Sequence, residues 1–365
     1  MKVIIAGGGT GGHIFPAVAI ANAIQKHAPG SEILFVGANG KMEMEKVPQA
    51  GYKIIGLDIV GFNRSNLLKN ITLPFKLWKS NAKAKEILKD FQPDIAIGVG
   101  GFASFPVLNA AQKLGIPTLI QEQNSFAGKS NKILSIKAQK ICVAYDNMAQ
   151  FFPKDKIVKT GNPVRAVIAD NQVNKTNGCN AFDVHPDQPT LLIVGGSLGA
   201  QSVNETIAQN IEKIVALGYQ VIWQTGKNYY PQAQQIAASY KNQVKVHDFI
   251  KNMEFAYAAA DLVISRAGAL AIAELCIVGK PVIFVPYPFA AEDHQTSNAM
   301  ALVNKQAAIC VADKELSSKL LPTLTQLVND TALQVSLAKN IKQEAITDAD
   351  DRIFGFIDKI VNGNK

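Results

Sequence analysis

Several absences narrow the chemistry of this 365-residue chain before any motif is read. Its four cysteines, Cys142, Cys179, Cys276 and Cys310, lie far apart with no C-x-x-C pair. That spacing argues against a thiolate zinc site or a disulfide framework and for a reducing compartment. No H-x-x-x-H or H-E-x-x-H pattern occurs, and the one D-x-D, Asp348-Ala349-Asp350, has no strand before it. Acids at a helix start explain it better than a metal site. The longest uncharged stretch, Ile95 to Gln112, is interrupted by Gly98, Gly100, Gly101 and Pro106. It reads as strand, loop and helix, so no transmembrane helix is expected. Met1 to Ala6 is too short for a signal peptide and runs straight into a glycine loop, as a first buried strand does.

Acidic residues are scarce in one half. Residues 1–163 hold 20 Lys and Arg against 10 Asp and Glu, whereas 164–365 hold 17 against 19, so the net charge of +8 belongs to the first half. Such asymmetry points to an anionic partner there, a membrane face or a nucleic acid. The interval Arg64 to Lys85 has six basic residues and no acid, including Lys69, Lys76 and Lys79, interleaved with Leu67, Leu68, Ile71, Leu73, Phe75 and Trp78. Apolar side chains among lysines suit the boundary of an anionic bilayer, although an ordinary amphipathic helix has the same composition. No nucleic-acid-binding motif supports the third reading.

What the chain does have is two glycine-rich loops, Gly7-Gly8-Gly9-Thr10-Gly11-Gly12-His13 and Gly195-Gly196-Ser197-Leu198-Gly199-Ala200. Each follows an apolar strand-like run and opens into a helix-like one. A strand ending in glycines brings bare N–H groups and the positive end of a helix dipole to one point, which favours a phosphate. Short apolar runs alternate with helical patterns throughout, as in parallel β-α-β units. The expected fold is therefore α/β, two Rossmann-like doubly wound domains facing one cleft, one for a phosphorylated donor and one for a phosphorylated acceptor. Strands are expected at 3–6, 33–36, 54–57, 95–99, 118–121, 141–144 and 157–160, then at 191–194, 221–224, 244–248, 262–265 and 282–285. Gly161-Asn162-Pro163 and the polar run after it place the boundary between domains 1–163 and 164–345. The closing segment 346–365 can pack back on the N-terminal domain or on its neighbour, and sequence alone does not decide.

The first loop matches G-x-G-x-x-G at Gly7, Gly9 and Gly12, but a nicotinamide site also wants an acid at the end of the second strand. That strand ends in Gly37-Ala38-Asn39, with Glu32 at its beginning. A dehydrogenase is thus disfavoured. His13 closes the loop at a helix start, where the dipole favours the neutral ring, and is a candidate base; a histidine that merely packs on the turn is the competing reading. In the second half, Ser265-Arg266-Ala267-Gly268-Ala269 leads from a strand into a helix carrying Glu274, a carboxylate able to accept from a ribose diol. Its apolar neighbours Ile272, Ala273, Leu275 and Cys276 argue against a merely solvated side chain. Val285-Pro286-Tyr287-Pro288 ends another strand at the same edge, followed by Glu292-Asp293-His294-Gln295.

Taken together, the segments Gly8 to His13, Gln121-Glu122-Gln123-Asn124, Gly161 to Arg165, Gly195 to Ala200 and Arg266 to Ala269 resemble the MurG family of peptidoglycan glycosyltransferases over nearly the whole chain. The resemblance implies the GT-B architecture and an inverting transfer of N-acetylglucosamine from UDP-N-acetylglucosamine to lipid I, without cofactor or required metal. It implies UDP-sugar contacts at Ile250, Ala269, Leu270, Glu274 and Gln295, phosphate contacts at Ser197 and Arg165, and contacts to the transferred sugar at Thr10, Gly11, Gly12 and Asn124. The acceptor pyrophosphate is expected at Gly9, Gly100, Gly101 and Phe102. The basic-apolar segment from Leu67 to Lys79 falls where the family docks on the cytoplasmic face of the membrane, and cell-wall synthesis proteins are natural partners of such an enzyme. The Tyr287 to Asp293 loop departs from the family pattern. His13 is the first candidate for the general base and Glu122, a carboxylate open to tuning by burial, the second. A UDP-N-acetylglucosamine epimerase on the same architecture and a non-enzymatic nucleotide-binding module are the alternatives.

Overall fold

The computed structural model describes residues 1–59, 73–170, 172–196 and 198–363. The chain divides into two compact units, Met1–Arg165 with Asp348–Lys365, and Ala166–Thr347. The first holds β1 (Lys2–Ala6), β2 (Glu32–Ala38), β3 (Lys53–Leu57), β4 (Ile95–Gly98), β5 (Thr118–Glu122), β6 (Lys140–Val143) and β7 (Ile157–Lys159). The second holds β8 (Thr190–Val194), β9 (Gln220–Gln224), β10 (Val244–His247), β11 (Leu262–Ser265), β12 (Val282–Phe284) and β13 (Ile309–Cys310). The sheet orders are β3-β2-β1-β4-β5-β6-β7 and β10-β9-β8-β11-β12-β13. The pairs β1/β2, β1/β4, β8/β9 and β8/β11 are all parallel.

These strands read as unbroken apolar runs because helices cover both faces of each sheet. Val3, Ile4, Ile5 and Ala6 are wholly buried, as are Leu191, Leu192 and Ile193 at the equivalent place. In each unit the chain reverses its winding between the first strand and the fourth, between β1 and β4 and again between β8 and β11. Ligands of open α/β sheets bind outside the strand ends at that switch point. The fold therefore puts the loops after β1 and β4 side by side in one unit, and those after β8 and β11 in the other. The expected doubly wound α/β units are what the chain forms; β13 is the one strand of the described residues that the sequence pattern did not announce.

The C-terminal helix Ala349–Asn362 packs on the helix Gly11–His27 of the first unit. Its Ile353, Ile357, Ile360 and Val361 join a core with Val3, Ile5, Ile14 and Ile20. Each such side chain contributes about 1.5–3 kcal/mol by burial. Asp348, Asp350 and Asp351 stand at the start of this helix, and Asp351 Oδ1 meets His27 Nε2 at 2.6 Å and Lys26 Nζ at 3.2 Å. A surface pair of that kind adds at most about 1 kcal/mol, so the isoleucines dominate.

Candidate active site

In the first unit the glycine loop leaves β1 with Gly8 and Gly9 at positive φ, 142° and 91°. The helix Gly11–His27 then begins from Thr10 without a side-chain cap, so its first N–H groups, those of Gly11 and Gly12, are presented outward. The loop leans on the turn after β4: Gly8 N–H donates to Gly100 O at 3.3 Å, and Gly101 packs on the Gly8 backbone. His13 sits at this junction. Thr10 Oγ1 and His13 Nδ1 share a hydrogen bond of 3.3 Å, while a Cβ on Gly100 would stand only 2.9 Å from His13 Nε2. Glycine at 100 thus lets the imidazole edge rest on the second turn. Phe102 projects from that turn and is exposed.

Glu43, which the sequence pattern did not mark, lies behind the loop. It is 1% exposed; Oε2 accepts Gly9 N–H at 2.7 Å and Oε1 accepts Ala38 N–H at 3.0 Å. Bonds of this charge-assisted kind are each worth about 1.5–3 kcal/mol. The N–H of Gly9, expected to face a pyrophosphate, is directed to this carboxylate.

The end of β5 carries a second buried polar system. Gln121 Nε2 donates to Asn162 Oδ1 at 2.9 Å, Asn162 Nδ2 to Gln123 O at 2.9 Å, and Gln123 Nε2 to Val99 O at 2.8 Å. These bonds tie the segments after β4, β5 and β7 together. Between them Glu122, 3% exposed, accepts four hydrogen bonds: from Asn124 N–H at 3.2 Å and Asn124 Nδ2 at 3.4 Å, from Gly128 N–H at 3.2 Å and from Asn131 Nδ2 at 2.8 Å. Burial pushes its carboxyl above the usual carboxylate range, while the four bonds pull the other way. Both oxygens are occupied in shaping the 122–131 turn, on which Asn124 stands half-buried.

The second unit repeats the first loop's plan with different support. Gly196 and Gly199 have φ of 86° and 80°, and Gly199 is pressed against the Thr225 backbone, where no side chain fits. Gln224, 2% exposed, donates through Nε2 to Gly196 O at 2.9 Å and accepts Ile250 N–H on Oε1 at 3.4 Å. One amide therefore joins the glycine loop to the buried Ile250. The helix Ala269–Val278 starts from Gly268 without a side-chain cap, so its positive end faces the same strand edge. Glu274 is buried and accepts Tyr257 O–H at 3.0 Å. Arg266 braces the rim: it donates to Val285 O, Pro286 O, Asp313 Oδ2 and Ser202 Oγ at 3.2, 3.1, 2.5 and 3.1 Å. Gln295 Oε1 accepts Tyr287 N–H at 2.9 Å and so shapes the loop after β12. In that loop Glu292 and Asp293 hold φ of 56° and 53°, a region that L side chains seldom occupy.

The unit division separates the expected site residues. Thr10, Gly11, Gly12, His13, Gly100, Gly101, Phe102, Glu122, Asn124 and Arg165 fall in the first unit; Ile250, Ala269, Leu270, Glu274 and Gln295 fall in the second. Ser197, Leu67, Leu68, Lys69 and Ile71 lie outside the described residues. Leu73, Phe75, Lys76 and Trp78 lie on the helix Leu73–Phe91, with Lys79 exposed one residue further. Among the described residues no helix is long and apolar enough to cross a membrane. Burial pushes the thiols of Cys142 and Cys276 up to about 12, and that of Cys310 to about 11, which leaves them poor nucleophiles.

Two doubly wound sheets with a glycine loop at the switch point of each are the Rossmann-like domains of a GT-B glycosyltransferase. The chain belongs to glycosyltransferase family 28: the model of that family's N-terminal domain matches residues 3–143, and that of its C-terminal domain matches residues 190–353. It is 51% identical over 362 residues to the UDP-N-acetylglucosamine--N-acetylmuramyl-(pentapeptide) pyrophosphoryl-undecaprenol N-acetylglucosamine transferase of Parabacteroides distasonis, covering 99% of this chain and 98% of the relative. The transferase of the same name from Cytophaga hutchinsonii is 53% identical over 364 residues, 100% of this chain and 98% of its own. The crystal structure of Acinetobacter baumannii MurG superposes with a TM-score of 0.79 at 30% identity, covering 98% of this chain and 99% of that one. A UDP-GlcNAc 2-epimerase from Neisseria meningitidis, with a TM-score of 0.69 at 17% identity, over 98% of this chain and 100% of its own, shares the fold alone.

Proposed function

We propose that this chain transfers N-acetylglucosamine from UDP-N-acetylglucosamine to the 4-hydroxyl of undecaprenyl-pyrophosphoryl-N-acetylmuramoyl-pentapeptide, turning lipid I into lipid II in peptidoglycan synthesis. The observation that carries this reading is the match to transferases of that name at 51% identity over 99% of the chain. The second unit takes the donor. Its glycine loop and the uncapped start of Ala269–Val278 meet the diphosphate of UDP, Ile250 meets the uracil, Glu274 the ribose and Gln295 the sugar. Ala269 and Leu270 supply the helix start itself, Ser197 adds a phosphate contact from the loop, and Arg165, the last residue of the first unit's main segment, is the remaining phosphate ligand of this proposal.

The first unit takes the acceptor. Its pyrophosphate lies against Gly100, Gly101 and Phe102 and the outward N–H groups of the first loop, while Thr10, Gly11, Gly12 and Asn124 serve the transferred sugar. His13 takes the proton of the 4-hydroxyl as that oxygen attacks the anomeric carbon; the bond to UDP breaks and the phosphate oxygen leaves with the electron pair. The contact of the imidazole with Gly100 and its hydrogen bond to Thr10 support that role. Glu122 serves better as the anchor of the Asn124 turn than as a base, because its four hydrogen bonds from Asn124, Gly128 and Asn131 all bring donors to the carboxylate.

The enzyme works from the cytoplasmic face of the membrane as a peripheral protein. The surplus of cations in residues 1–163 supports this, as do Ile133 and Ile136, 61% and 68% exposed beside Lys129 and Lys137. Partner proteins of cell-wall synthesis would meet it there. The test is UDP release from UDP-N-acetylglucosamine with and without a lipid I analogue. Release that depends on the acceptor is expected; conversion to another UDP-sugar without acceptor would overturn the reading in favour of an epimerase.

A further inference from the structure

The transfer reaction as proposed gives no part to Glu43, yet the first glycine loop and the end of β2 close around it. Its side chain enters a space that two glycines leave open: a Cβ on Gly37 would stand 2.5 Å from Glu43 Cγ, and one on Gly8 would overlap the carboxyl carbon. Buried carboxylates are held in most cases by a cation, because desolvation opposes the charge. Here two backbone N–H groups hold it, Ala38 at the end of β2 and Gly9 in the loop. Gly8, beside Gly9, is in turn bonded to Gly100 O, and Gly100 abuts the ring of His13. A continuous set of contacts runs from the carboxylate through the loop to the imidazole.

We infer that Glu43 is a positioning residue for the acceptor half of the reaction. By fixing Gly8 and Gly9 it sets the seat of the turn Gly100–Phe102, and through that turn the place of His13. Two N–H donors need two acceptor oxygens, which a carboxylate supplies and an amide of the same shape does not. The inference rests on the assignment of His13 and the first loop to the acceptor.

The test uses the full chain carrying Glu43→Gln or Gly37→Ala; the second presses a methyl group on Glu43 Cγ and leaves the charge in place. Rates are measured with UDP-N-acetylglucosamine and a lipid I analogue, and UDP affinity by calorimetry. Misplacing a reacting group by about an ångström costs up to ~10²-fold, so kcat is expected to fall at least about tenfold in both variants. The KM for the acceptor rises, while the KM for the donor and the affinity for UDP stay within about twofold, a change too small to count as a lost hydrogen bond. Unchanged turnover in both variants overturns the inference, and so does a parallel loss of UDP affinity, which marks a purely structural role. If one variant fails to bind UDP the other decides; if neither binds it, the positioning role falls. His13→Ala, measured alongside, separates the two failures. If it costs less than about threefold, the assignment of the acceptor half is wrong; if it costs hundreds-fold while Glu43→Gln is silent, only the role of Glu43 is wrong.

Discussion

Behind the first glycine loop stands a buried carboxylate, and behind the second a buried amide. Glu43 takes up the N–H of Gly9, whereas Gln224 donates to the carbonyl of Gly196. The two loops have the same place in the same topology, but their electrostatics differ. A carboxylate under a loop withdraws one N–H from any ligand and sets a like charge beneath an incoming phosphate. An amide donating to a carbonyl sets no charge beneath the second loop, so although Gly195 and Gly199 spend their N–H groups on Gln224 O and Gly196 O, nothing there opposes the helix dipole. The second loop is therefore the better seat for a tightly held nucleotide diphosphate. On the proposed division of labour, the first holds a hydroxyl against a base, with its diphosphate bound less firmly.

That contrast can be broken from either side. The largest effect is expected from His13→Ala, a loss of about 10²–10⁴ in turnover with UDP affinity unchanged in calorimetry. A matching loss of UDP affinity would mean that the nucleotide shares the first loop. Next comes Gln224→Glu, which gives the second loop a carboxylate facing Gly196 O; UDP should bind about 10–100-fold more weakly, with acceptor KM unmoved. Unchanged affinity there would refute the electrostatic account of the second loop. Glu274→Ala should weaken UDP-N-acetylglucosamine about tenfold with the fold intact, and equal binding by variant and parent would remove Glu274 from the ribose.

The smallest effect concerns the C-terminal helix. The hydrogen bond from His27, with help from Lys26, holds the Asp351 carboxyl below the usual carboxylate range. A depressed folded value means stability that is present above the unfolded pKa of about 3.9 and is lost as pH falls through the folded one. Asp351→Asn should thus lower stability by less than about 1 kcal/mol at neutral pH, and the difference should vanish in acid. Denaturant melts of parent and variant from neutral pH downward measure it; a difference that grows in acid would contradict the sign.

Much of the fold was legible because parallel strands buried on both faces spell themselves out, as Val3-Ile4-Ile5-Ala6 and Leu191-Leu192-Ile193-Val194 do. Ile309–Cys310 escaped because two residues carry no period. The two loops were legible from glycine spacing, and Gly8, Gly9, Gly196 and Gly199 do adopt the positive φ that such turns require. What stood behind them was not. The sequence has no acid at the end of β2, where Gly37-Ala38-Asn39 stand, yet the carboxylate of Glu43 on the following helix reaches that point. Only folding back of the chain makes the contact, so no local pattern could show it. Gln224 was hidden in the same way: it read as the end of a strand, and its side chain finds Gly196 and Ile250 only once β8, β9 and β10 are paired. Glu122 was legible as a buried acid in a polar loop, but its commitment to Asn124, Gly128 and Asn131 was not.

The most direct test of the division of labour is a crystal structure of the chain with UDP-N-acetylglucosamine bound. The account predicts uracil at Ile250 and the diphosphate between the Gly195–Ala200 loop and the start of the helix Ala269–Val278. A diphosphate seated instead on Gly7–Gly12, above Glu43, would contradict it.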